Sequence, residues 1–250
     1  MSATVMSATA TQTLREIAAE QPSAVNLFAR FEIDLCTLAD KSLAEACSEL
    51  SLSLDQLLQK LDEAKATENG TAAAIDPSTL SLTRLIQHIV RRHHQGVRQE
   101  LPELLRMAHK LVERRAEDSP ELRQIEQLIE QLHRGLLKHI GKEEQVLFPV
   151  IADMEENSTL GSPSLHSHFK TLTHPVFVMA QEHEFTSAVY AEMRRATKDF
   201  ELPAGACTTH QALFEGLRRY EVNLREHIRL ENDFLFPRAI AMETELQGRR

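Results

Sequence analysis

Two stretches of the chain carry apolar residues every three or four positions, and in both the stripe turns polar at the same step. Leu122, Ile125, Ile129, Leu132 and Leu136 are followed in phase by His139 and Glu143; Leu213, Leu217, Tyr220 and Leu224 are followed by His227 and Glu231. The apolar series then resumes at Val146 and Leu147, and at Phe234 and Leu235. A period of 3.6 marks amphipathic helices, so the polar pairs fall on the face that must be buried. A His-x-x-x-Glu pair is ordinarily a solvent-facing pair, worth about 0.2–0.5 kcal/mol. The register excludes that reading here. A buried glutamate without a partner is costly, so two of them call for a compensating charge, and a metal cluster supplies it.

The two segments form an internal repeat. His139-Ile140 through Leu147-Phe148-Pro149 and His227-Ile228 through Leu235-Phe236-Pro237 share His, Ile, Glu, Leu, Phe and Pro at an offset of 88 residues. Each half should therefore supply a helix pair, and the partner helix of each pair should bring its own ligand. His183 precedes His227 by 44 residues and continues the face of Val176, Met179 and Tyr190. His94 precedes His139 by 45, but the stripe Ile86, Val90, Val97, Leu101, Leu104 accommodates either His93 or His94. His88 lies elsewhere on that helical wheel. His166, His168 and His174 precede or begin their helix, His133 and His210 carry no signal, and His109 suits the C-terminal end of a helix dipole.

Long helices are predicted over about 80–115 (bent near Pro102), 119–154, 175–198 and 209–246, with no strand signal. The second opens at Ser119-Pro120-Glu121, a capping serine followed by proline and an acid. The fold class is all-α: a four-helix bundle over 80–246. Ahead of it, 1–11 reads as a disordered N-terminus, 12–65 as a small helical domain with Ser42 and Ser53 as helix caps, and 66–79 (ATENGTAAAIDPST) as a linker. Leu27, Phe28, Phe31, Leu35, Leu54, Leu57 and Leu58 give the small domain a core.

A net charge of −9 argues against a nucleic-acid partner, which needs a basic face. No stretch reaches the roughly 20 apolar residues of a membrane span, and the N-terminus lacks the charged and apolar regions of a secretory signal. Cys36, Cys47 and Cys207 are odd in number and widely spaced, which suits a reducing compartment better than a disulfide framework. The reading is a cytoplasmic protein.

The segments HIVRRHHQGVRQELPEL, LKHIGKEEQVLFPVI, MAQEHEFTSAVYAEM and LREHIRLENDFLFPRA closely resemble the bacterial Repair-of-Iron-Centres proteins. These are hemerythrin-like di-iron proteins that help restore iron–sulfur clusters after nitric oxide or oxidative damage. The resemblance covers nearly the whole chain, the small N-terminal domain included. It implies a ligand set of His94, His139, Glu143, His183, His227 and Glu231, and it favours His94 over His93, whose position usually carries an aromatic residue. The family's N-terminal domain typically bears a vicinal Cys-Cys-Gly-Gly turn after an Asp. Here Asp34-Leu35-Cys36-Thr37-Leu38-Ala39 keeps one cysteine and neither glycine, so Cys36 can act at most as a single redox or transfer thiol.

Four imidazoles and two carboxylates suit iron, zinc or manganese. With two histidines per metal, both glutamates bridging and an oxo or hydroxo bridge, the two ions would lie roughly 3.5–4 Å apart. The function expected is repair of iron–sulfur clusters under nitrosative and oxidative stress by lending or mobilising iron, with damaged iron–sulfur proteins or a cluster-assembly scaffold as partners. This is a repair or binding role rather than that of a defined catalyst. The alternatives are a nitric-oxide or dioxygen binder and an inert zinc-filled bundle. The N-terminal domain is expected to dock or to form a homodimer. Without metal, the two buried carboxylates should repel one another and their pKa values should rise.

Overall fold

In the computed structural model the described residues are 8–248, except 22, 32, 36, 70–75, 116, 118 and 161–170. Their regular elements are all helices, and the one β feature among them is an isolated antiparallel bridge between Thr13 and Ser42. The expected all-α class is observed. The chain forms two compact units, one of residues 1–74, 103–123 and 201–217, the other of 75–102, 124–200 and 218–250.

The first unit begins with α1 (Leu14–Glu20), α2 (Ser23–Arg30), α3 (Leu43–Glu49) and α4 (Leu54–Asn69). Thr13 and Ser42 close capping boxes with Glu16 and Glu45, so the first-turn amides and the cap amides are satisfied reciprocally. Ser53 accepts a long hydrogen bond from Gln56 N at 3.4 Å. Leu27, Phe28, Leu35 and Leu57 are buried, joined by Leu14, Ile17, Leu43 and Leu61, while Phe31, Leu54 and Leu58 pack at the edge. Residues 8–11, expected to be disordered, lie against α3: Leu43 N donates to Gln12 O and Ala44 N to Ala10 O. Helix α4 runs to Asn69, into the stretch read as linker, because Ala, Lys and Glu around residues 63–68 are good helix formers. Within the same unit Arg30 pairs with Glu103 at 3.8 Å, Arg114 with Asp34, and Arg15 Nη1 donates to Thr208 Oγ1 at 3.2 Å. Cys47 is a buried free thiol, whereas Cys207 is disulfide-bonded, which corrects the expectation of reduced thiols at that position. Cys36 lies outside the described residues.

Four long helical rods follow, as expected for the bundle. The first is α5 (Leu82–Ile89), a π turn (Val90–His94) and α6 (Gln95–Arg115); the second α7 (Glu121–Lys142), a π turn (Glu143–Leu147) and α8 (Phe148–Leu160). The third is α9 (Thr173–Ala196), and the fourth α10 (Thr208–Arg229), a π turn (Leu230–Leu235) and α11 (Phe236–Gly248). In the second unit all four rods share one core, with Leu85, Ile89, Phe148, Ile151, Met179, Leu235 and Phe236 among its members.

The helix starts in this unit are capped from other rods. Glu155 of α8 accepts from Leu82 N at 2.7 Å and Thr83 N at 2.8 Å, beside the Ser81 cap. Glu243 of α11 accepts from Leu172 N at 3.0 and 3.1 Å at the head of α9. Glu155 and Glu243 are 88 residues apart, the same offset as the two His/Glu pairs. The repeat thus extends from the site to the helix ends. First-turn amides and the positive end of the dipole both favour a carboxylate there.

Candidate metal centre

Each π turn carries or adjoins the polar residues singled out above. His94 ends the first, Glu143 opens the second with His139 four residues before it, and Glu231 lies in the third with His227 just ahead. Single π turns are frequent at functional sites because one extra residue re-aims a side chain without ending the helix. In the second and third turns the sequence gives a reason. Pro149 and Pro237 lack the amide that would serve the carbonyls of Gln145 and Asp233, both inside the π turns. The first turn has no such proline.

The structure brings together all six residues that the resemblance implied. His94, Glu143, His227 and Glu231 form one group of donors and His139, Glu143, His183 and Glu231 another, with the donor atoms of each group within 4.8 Å of one another. None of the six is more than 3% exposed. Both glutamates belong to both groups. Glu143 lies 3.3 Å from His139 Nε2 through Oε1 and 3.4 Å from His94 Nε2 through Oε2. Glu231 lies 2.8 Å from His227 Nε2 through Oε1 and 3.0 Å from His183 Nε2 through Oε2.

Hydrogen bonding does not satisfy this cluster. Both Glu143 oxygens and Glu231 Oε2 are buried and accept no hydrogen bond despite those short separations. His94 Nε2 faces His227 Nε2 at 3.2 Å, and His139 Nε2 faces His183 Nε2 at 3.1 Å. The outer ring nitrogens explain the orientation. His94 Nδ1 donates to Glu144 Oε1 at 2.6 Å, His139 Nδ1 to Glu182 Oε2 at 3.0 Å and His183 Nδ1 to Asn232 Oδ1 at 3.0 Å. Glu144 is fixed in turn by Arg98 at 3.1 and 2.9 Å, and Glu182 by Lys142. A neutral imidazole that donates from Nδ1 presents a lone pair at Nε2. The facing lone pairs of His139 and His183, beside carboxylate oxygens that accept no hydrogen bond, require positive charge among them, so this donor set fits bound cations.

The metal-free electrostatics express the same need. Burial works against the charged form of His139, but the charge of nearby Glu143, and then Glu231 and Glu182, outweigh it and raise the pKa to about 9. His94 is raised in the same way, burial being overcome by Glu143 and Glu144. Burial would raise Glu231, yet the facing charge of His227, with His183, holds it well below the usual carboxylate range. The expectation of raised carboxylate pKa values is therefore corrected at Glu231. Four imidazoles share the cage, and their attraction exceeds carboxylate repulsion.

The π turn Val90–His94 sends the two neighbouring histidines different ways. His94 enters the cluster, while His93, also buried, belongs to neither group and directs Nδ1 to Asn223 Oδ1 at 2.5 Å. Burial first, then the charge of His227, lowers the pKa of His93 to about 4. Sequence reasoning missed Glu144, Glu182 and Asn232. Their signal was adjacency, since each sits directly beside a glutamate or histidine of the cluster. It also passed over His210, which is buried and packs edge-on against Phe214 at 4.4 Å. His174 is exposed, and His166 and His168 lie outside the described residues.

A model of the Hemerythrin HHE cation binding domain matches residues 85–239, which include all six residues, and a domain of unknown function, ScdA_N, matches residues 10–65. Fold and site together define a hemerythrin-type bundle, and its buried His/Glu group points to iron. An iron-sulfur cluster repair protein YtfE of Yersinia pseudotuberculosis serotype O:1b (strain IP 31758) is 34% identical over 233 residues, covering 93% of this chain and 98% of the relative. The YtfE protein of Escherichia coli O81 (strain ED1a) is similar to the same extent, 34% over 233 residues with the same coverage. The chain belongs to the family of the YtfE iron-sulfur cluster repair proteins. Among the described residues no helix is long and apolar enough to cross a membrane.

Proposed function

We propose that His94, His139, Glu143, His183, His227 and Glu231 hold two iron ions, with both glutamates bridging under an oxo or hydroxo group, and that the protein lends or mobilises this iron in the repair of iron–sulfur clusters. The observation that carries the reading is the double membership of Glu143 and Glu231: each presents one oxygen to each group of histidines, and three of the four oxygens accept no hydrogen bond. Bound there, iron supplies an exchangeable divalent or trivalent ion in a nitrogen-rich cage. The residues do the rest. Glu144, Glu182 and Asn232 hold three imidazoles in the tautomer that binds metal, and the buried walls keep water from the carboxylates. The partners of such a protein are damaged iron–sulfur proteins or a cluster-assembly scaffold, under nitrosative or oxidative stress. The names of its relatives support that assignment.

Elemental analysis tests the centre directly. Glu143→Ala and Glu231→Ala should each lower iron from two per chain to one or fewer while far-UV circular dichroism stays unchanged. Full stoichiometry in both variants overturns the assignment. Reactivation of a nitric-oxide-damaged cluster enzyme by the iron-loaded protein, and not by the metal-free protein, tests the repair role.

A second reading, reversible binding of nitric oxide or dioxygen, is favoured by one feature. A largely apolar cleft of about 370 Å³ is lined by Val176, Ala180, Asn232, Phe236, Pro237 and Ile240. Asn232 bonds His183, and Phe236 stacks on it at 6.3 Å. Saturable nitric oxide binding without any cluster reactivation would select this reading over repair.

A further inference from the structure

The outer nitrogens of the ligand histidines are held in the pattern of the repeat, with one departure. Glu144 and Asn232 each directly follow a glutamate of the cluster and lie 88 residues apart. They accept from His94 Nδ1 at 2.6 Å and from His183 Nδ1 at 3.0 Å. Phe148 and Phe236, also 88 apart, stack on the same two rings at 5.8 and 6.3 Å. Glu182, the residue before His183, accepts from His139 Nδ1 at 3.0 Å. Its counterpart, the residue before His94, is His93, and it makes no hydrogen bond to His227. Its ring lies flat against that of His227 instead, with centroids 5.5 Å apart and 9° between the planes. Among the described residues His227 is thus the one ligand histidine whose Nδ1 has no hydrogen-bond partner. His93 is itself fixed. It is 5% exposed, its Nδ1 donates to Asn223 Oδ1 at 2.5 Å, and His88 meets it edge-on at 5.9 Å. In a close-packed interior a ring clamped at its edge cannot turn, and it restrains the ring lying on its face.

We infer that His93 is the positioning residue of His227, and that the ion held by His94 and His227 is the one the protein gives up first. The inference rests on the di-iron reading and deepens it by naming the ion that is lent. A carboxylate on the outer nitrogen fixes an imidazole and raises its basicity, and removing such a partner costs about 10–100-fold in metal affinity. Each ion has one imidazole backed in this way, His94 by Glu144 and His139 by Glu182. The two ions differ in their other imidazole. His183 has the carboxamide of Asn232 and the face of Phe236, whereas His227 has the face of His93 alone. A ring face limits tilt but adds no basicity. His227 therefore lets go first, the electron pair staying on its Nε2 and the ion keeping its oxidation state. His139 and His183 hold the other ion meanwhile, and that ion keeps Glu143 and Glu231 in place for the return of the first.

Anaerobic transfer of iron from the full-length, ferrous-loaded protein to a ferrous chelator provides the test. The wild type should release its two ions in two phases. His93→Ala should speed the first at least about tenfold, on the scale of lost outer partners, and leave the second unchanged. His93→Phe, which keeps a flat ring against His227, should restore most of the difference. Asn223→Ala frees the His93 ring without removing it and should give an intermediate rate, which keeps the test decisive if His93→Ala folds poorly. In a His227→Ala background, which should hold one ion, adding His93→Ala should leave the release of that ion unchanged, because the two residues act as one. A first phase unchanged in both His93→Ala and Asn223→Ala, or both phases speeded alike, overturns the inference while leaving the centre intact. A single phase from a wild type holding two ions overturns the order of release. Fewer than two ions in the wild type overturns the six-residue centre and this inference with it.

Discussion

At the scale of single residues, the buried His/Glu cluster is a set of charges that a cation would balance, and His139 shows it best. Its ordinary pKa is 6.5 and its folded value is about 9. A group raised on folding stabilises the protein fully below the unfolded value, and the benefit disappears as pH rises through the folded one. Glu231, depressed on folding, contributes above its ordinary 4.5 and loses that contribution in acid. The metal-free protein should therefore be most stable between pH 4.5 and 6.5 and lose up to about 3 kcal/mol from His139 alone on the way to pH 9. Urea midpoints measured across that range check this, and a flat profile would contradict it. Iron must displace those protons, so its affinity should rise with pH over the same interval. The sequence led instead to repelling carboxylates with raised pKa values, because spacing counts glutamates without showing which imidazoles face them. His139, Glu143, His227 and Glu231 were legible because each interrupts an apolar stripe in phase. His93 against His94 was not, because the extra residue of a π turn shifts the phase by which a 3.6 period is read.

At the scale of elements, the repeat is more complete in the structure than in the sequence. The His-x-x-x-Glu and Leu-Phe-Pro motifs gave it away locally, but beyond them only the Met154-Glu155 and Met242-Glu243 pairs match at this offset, too short a match to be read as part of the repeat. Only the helix starts that the two glutamates cap reveal them as equivalents. Glu243 is 6% exposed and serves a buried amide, while Glu155 shares its task with Ser81. Glu243→Ala should cost about 1–2 kcal/mol, and Glu155→Ala less, because one capping oxygen remains. Denaturant midpoints of the two variants measure the difference; equal losses would mean that burial and redundancy do not matter at these ends. The last rod offers a second test. A Cβ at Gly216 would come within 2.6 Å of Leu104 Cδ2, and Leu104 is only 2% exposed. Gly216→Ala should gain about 1 kcal/mol of helix propensity and lose about 1–3 kcal/mol to overpacking. A net loss, visible in the same midpoints, is the expected sign. Composition could not forecast it, since a glycine inside a helix reads as a weak point until the residue opposite is known.

For the whole molecule, the division into units does not follow the sequence boundaries. Composition placed a linker at 66–79 and so implied a small domain on a tether. Yet residues 103–123 and 201–217 of the long rods belong to the same unit as the N-terminal helices. Arg114 pairs with Asp34 there, and Val25, Ile33 and Leu35 line one small cleft with Met107 and Thr209. Met107 is 2% exposed and Thr209 6%. Nothing in a linear pattern could reveal this, because the stripe Leu101, Leu104, Met107, Leu111 looks the same whatever it packs against. All six residues of the centre, by contrast, lie in the other unit. A chain beginning at Asp76 should therefore keep its iron stoichiometry but lose the cover over Met107 and its neighbours and the partner of Arg114. At about 2–4 °C per kcal/mol for a chain of this size, losing one or two buried apolar contacts should lower Tm by at least about 4 °C. Thermal unfolding of both chains in the iron-loaded form makes the comparison, since metal stabilises each equally. If Tm is unchanged, the N-terminal helices do not support residues 103–123 and 201–217. If iron is lost, the centre depends on more of the chain than the unit that carries its ligands.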